Sequence, residues 1–67
     1  MGQKLMDIEQ IKAIQFMFDE CFEEKNEKKI SYSLPFLESM HGQFESKRWL
    51  SEKQIAKLKE LHERATS

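Results

Sequence analysis

Four cations and a tryptophan crowd into residues 47–57: Lys47, Arg48, Trp49, Lys53 and Lys57. Such cations neutralise phosphates, and an aromatic ring among them can stack on an unpaired base. The chemistry on offer is contact with a nucleic acid, without sequence preference. Lys53 and Lys57 stand one helical turn apart, and Arg64 lies two turns beyond Lys57. Glu45, Glu52 and Glu60 dilute the cluster. Trp49 has a second reading beside Leu50, as a ring packed at a helix corner.

Catalytic chemistry finds fewer residues. The chain has no nucleophile elbow, no P-loop and no Gly-rich dinucleotide turn, and only two glycines. Thiol chemistry would need Cys21 paired with His41 or His62. Cys21 falls on an apolar helical stripe, where cysteine acts as a small hydrophobe. One cysteine and two histidines give no zinc spacing. The pairs Asp19-Glu20 and Glu23-Glu24 lack the glycine-hinged loop of a calcium site and read as the wet face of a helix. We therefore expect no enzyme activity, no cofactor and no metal.

The elements that must carry the cluster are helices. Ser51 followed by Gln54 is the S-x-x-Q form of a capping box. Leu50 and Ile55 flank it at the spacing of a hydrophobic staple. A tight corner at Arg48-Trp49-Leu50 therefore joins two amphipathic helices. The second helix of the chain is expected near residues 34–47. Pro35 is tolerated in its first turn, and Phe36 or Leu37, Met40 and Phe44 form its stripe. Gly42 inside it reads as a close helix crossing. The third helix is expected near 52–64, with Ile55, Leu58, Leu61 and His62 turned inward. The first helix is expected near 7–25, capped by Asp7, with Ile8, Ile11, Ile14, Phe18, Cys21 and Phe22 on its apolar stripe. Asn26 is a candidate end for it. Residues 26–33, NEKKISYS, read as an extended linker packing Ile30 and Tyr32 onto the helices. A lone strand there would leave its backbone groups unpaired.

These elements make one all-α domain over residues 1–67, a small three-helix bundle or orthogonal helical domain, with frayed termini at 1–6 and 65–67. A chain of this size buries only about 60% of the surface its unfolded form exposes. Its core is worth roughly 3–5 kcal/mol. Twelve acids against eleven bases leave a net charge of −1, so bulk charge does not draw a polyanion. Five Phe and four Met offer adaptable apolar surface for a protein partner. Phe16, Tyr32, Met40 and Trp49 are the expected exposed anchors. A lone cysteine, an N-terminus without an apolar run and the lack of a spanning segment suit a reducing cytoplasm and no membrane.

Phe36, Ser39, Gln43, Phe44, Trp49, Leu50, Ser51, Lys53, Gln54 and Leu58 form the pattern F-x-x-S-x-x-x-Q-F-x-x-x-x-W-L-S-x-K-Q-x-x-x-L. It resembles a pattern in small phage-encoded helical proteins and domains that accompany DNA-processing machinery. The chain resembles the short helical accessory proteins encoded beside the UvsW helicase in T4-like phages. The resemblance covers about residues 34–61. It implies an accessory of DNA recombination, replication or repair in the host cytoplasm. Such an accessory either touches single-stranded or branched DNA or docks on a helicase or recombination protein. Carried over by position, its surface is Lys47, Arg48, Trp49, Lys53 and Lys57.

Overall fold

The computed structural model describes residues 6–67. The fold is all-α, with no strand among these residues. Helix α1 spans Ile8–Cys21 and opens on a full capping box. The Asp7 carboxylate accepts from the Gln10 N–H at 2.9 Å, and the Gln10 side chain accepts from the Asp7 N–H at 3.3 Å. Ile14, Phe18 and Cys21 are its buried stripe. Ile8 does not join them and is 68% exposed. At about 100° per residue, Ile8 sits roughly 100° away from the line through Ile14, Phe18 and Cys21.

The expected extension of this helix to residue 25 is not found. α1 ends at Cys21, with Phe22 as its C-cap. The turn is fastened by Asn26, which is buried and donates from Nδ2 to the Glu20 carbonyl at 2.7 Å. Asn26 thus satisfies one of the carbonyls a helix end leaves open.

The expected extended linker is also corrected. Residues 24–27 form a short helix, α2 (Glu24–Glu27), and Lys28–Ser33 form a 3-10 segment. The segment is kinked at Ile30, whose backbone (φ −125°, ψ 27°) is not helical. The kink accompanies complete burial of the Ile30 side chain. Helical turns pair their own backbone groups, which an isolated extended segment cannot do.

Helix α3 spans Leu34–Lys47 with Pro35 in its first turn, and buries Leu37, Met40 and Phe44. Met40 is therefore core and not an exposed anchor. Gly42 marks no close crossing, since a Cβ built there meets nothing within 4 Å. Helix α4 spans Glu52–Thr66 and buries Leu58, Leu61 and Ala65. The tail expected to fray at 65–67 instead continues the helix through Thr66, because Ala65 extends the buried stripe. The expected fraying of residues 1–5 lies outside the described residues, and Met6 packs against the core.

All the helices but α2 share one core, which Ile30 from the 3-10 segment and Leu50 from the corner complete. Phe18 is its centre, with ring centroids 5.7 Å from Phe44 and 4.8 Å from His41. Among the described residues no buried polar side-chain atom lacks a hydrogen-bond partner.

Candidate nucleic-acid interface

The corner between α3 and α4 is built by local chemistry and one tertiary tie. Arg48 ends α3 in the left-handed region (φ 60°, ψ 30°), and its N–H reaches the Phe44 carbonyl at 2.8 Å. Leu50 then turns into the core. Ser51 caps α4 by accepting from the Gln54 N–H at 3.2 Å. The Gln54 side chain answers by accepting from the Ser51 N–H at 2.8 Å.

That same Gln54 side chain also reaches across the corner. Gln43 Nε2 donates to Gln54 Oε1, and Gln54 Nε2 donates to Gln43 Oε1, each at 3.0 Å. Two parallel amide bonds fix relative orientation as well as distance. Gln54 therefore links the cap of α4 to the body of α3. The cap was legible as an S-x-x-Q signal. The amide pair was not, because nothing local in the chain couples residues 43 and 54.

The structure distributes the sequence-derived site residues unequally. Lys47, Arg48 and Lys53 are exposed at the corner, and none makes an ion pair among the described residues. Trp49 is half-buried. Lys57 is half-buried one turn further along α4, with Nζ 3.8 Å from Glu60. Glu60 also holds Arg64, at 3.4 Å. Arg64 in turn donates to the Tyr32 hydroxyl. Tyr32 and Phe36 are 66% and 46% exposed. Sequence reading set Tyr32 in a linker and among the exposed anchors, and offered Phe36 or Leu37 for the apolar stripe, a place that Leu37 takes. Phe36 shares a helix line with Gln43, seven residues on, which was the available signal for its position.

The residues weighed for catalysis are arranged otherwise. Cys21 is fully buried, and its thiol is pushed up to about 11 by burial and then by the nearby Glu20 charge. At neutral pH it holds its proton, and the thiolate is the nucleophilic form. His41 packs edge-on against Phe18 and Phe22 and lies 3.5 Å from Glu45. His62 lies against Phe16 and 3.4 Å from Glu20, tying α4 to α1. Among the described residues no group of three or more His, Cys, Asp or Glu is placed to hold a metal ion. No helix among them is long and apolar enough to cross a membrane.

Comparison with protein-family models, curated proteins and solved structures finds no match to this chain.

Proposed function

We propose that the chain is a non-catalytic helical accessory of DNA recombination, replication or repair. Its α3–α4 corner contacts the phosphates of single-stranded or branched DNA. The observation that carries this reading is the set of three exposed cations, Lys47, Arg48 and Lys53, none spent on an internal ion pair among the described residues. They stand on a corner held by a capping box and the Gln43–Gln54 amide pair. Phosphate attraction needs such unneutralised charge on a fixed surface. The DNA-processing setting rests on the resemblance over residues 34–61.

Titration of labelled single-stranded DNA at about 20 mM salt, where screening is weak, tests the reading. Binding is expected there and should fade as salt rises. Lys47→Glu combined with Lys53→Glu should abolish it with helicity intact. Absence of binding by the unaltered chain removes the nucleic-acid reading.

A second reading is a docking module for a helicase or recombination protein, without DNA contact. The observation favouring it lies on α1, where Ile8 and Phe16 expose large apolar side chains, Phe16 by 57%. Such anchors suit a protein partner. A pull-down with replication proteins separates the readings. Capture that survives nuclease treatment and is lost in Phe16→Ala favours docking.

A further inference from the structure

Two tertiary ties hold α4 on this side. The Gln43–Gln54 amide pair joins it to α3, and the Arg64–Tyr32 hydrogen bond joins it to the 3-10 segment that leads into α3. Tyr32 precedes Gln43 by eleven residues, and Arg64 follows Gln54 by ten.

The exposed side of this seam has a distinct composition. On α3 the line Phe36, Ser39, Gln43, Lys47 has helical spacing and contains no acid. On α4 the line Lys53, Lys57, Glu60, Arg64 contains a single acid. Lys47, Lys53, Lys57 and Arg64 against Glu60 make a local surplus of three positive charges in a chain of net charge −1. At the end of the seam away from the corner, Tyr32 and Phe36 expose their rings. Arg64 donates to the Tyr32 hydroxyl, and Tyr32 stays exposed as a residue.

We propose that Tyr32 and Phe36 form a base-stacking platform that continues the corner's phosphate contacts along the α3–α4 seam, so that a single-stranded nucleic acid lies along both. The proposal rests on the corner reading given above. Exposed rings beside a cation track are the two parts that sequence-tolerant single-strand binding needs. A single strand offers anionic phosphates to the positive surplus and flat bases to the rings, whereas a neutral or basic protein partner would meet only the rings. A duplex keeps its base faces covered, so the platform discriminates against it.

The test uses the full chain and a fluorescein-labelled oligothymidylate of about 12 nucleotides, a length in the range of single-strand modules. Phe36→Ala and Tyr32→Ala should each weaken binding by about fivefold or more, the loss of one stacked base. Tyr32→Phe keeps the ring and should bind nearly as the unaltered chain does. Circular dichroism should be unchanged in all three, because both rings are surface groups. The matching oligouridylate distinguishes the strand type, and ring-dependent binding of either supports the platform. Suppose the alanine variants bind as the unaltered chain does while Lys47→Glu with Lys53→Glu abolishes binding. The platform then falls and the corner reading stands. Failure of the unaltered chain to bind any single strand ends both. Equal affinity for a duplex of the same length, insensitive to either alanine change, also overturns the platform.

Discussion

Arg48 serves two demands that conflict. The corner needs a residue in the left-handed region, where a Cβ costs roughly 1–2 kcal/mol and glycine is favoured. A phosphate-contacting surface needs a cation. Arg48→Gly should therefore raise stability by about 1 kcal/mol, after glycine's extra freedom in the unfolded chain offsets part of the gain. For a domain of this size that is a rise of about 4–8 °C in Tm. The same change should weaken DNA binding. A fall in Tm would mean that the arginine side chain supports the corner by packing. Cys21 supplies a second prediction at this scale. Its folded thiol is pushed up to about 11 from an ordinary value of 9.0. Below pH 9 both states keep the proton and stability is unaffected. Above it the unfolded chain ionises first, so stability should decline between about pH 9 and 11. Cys21→Ser lacks that titration, and urea titrations of both proteins across the interval should diverge. Parallel curves would contradict the burial of the thiol.

Elements were legible where their ends are written locally. Ser51 with Gln54, Leu50 with Ile55, and Pro35 near the start of α3 lie within a few residues of the features they define. The structure keeps the Ser51–Gln54 capping box and Pro35 in the first turn, and it places Leu50 in the core with Ile55 packed against that core. Residues 24–33 were not legible in this way. Their helical turns depend on Asn26 closing the end of α1 and on Ile30 entering the shared core, and both are tertiary facts. The same limit hid the amide pair between Gln43 and Gln54. It also accounts for much of the motif over residues 36–58. Phe44, Leu50 and Leu58 are core, while Gln43, Ser51 and Gln54 bind the corner together. Trp49 is half-buried, and Phe36, Ser39 and Lys53 remain as exposed positions that no buried contact explains. Gly42 likewise has no packing reason, being exposed in the interior of α3 with open space around its Cβ position. Gly42→Ala should then stabilise the fold by about 1 kcal/mol through helix propensity alone. Chemical denaturation should show a higher midpoint at unchanged slope, and a lower midpoint would reveal a contact made through the missing side chain.

At the scale of the whole molecule, charge is nearly balanced, and binding is decided by where the balance is broken. Lys47, Arg48 and Lys53 stand free of ion pairs among the described residues, whereas Glu60 engages both Lys57 and Arg64. All these pairs are partly solvent-exposed, so each contributes little to stability. Their larger consequence is for the surface field, because Glu60 is the one acid on the cation line of α4. Three free cations imply a log–log salt slope of about −2 for a single strand, at roughly −0.7 per phosphate contact. Glu60→Gln removes the competing carboxylate and keeps the side chain's shape. It should steepen the slope by about 0.7 for each of Lys57 and Arg64 that turns to phosphate. Affinity should rise most at low salt, while Tm moves little. Binding isotherms at several salt concentrations measure both quantities. An unchanged slope with unchanged affinity would place the strand on the corner alone, away from the line that joins Lys57 to Arg64.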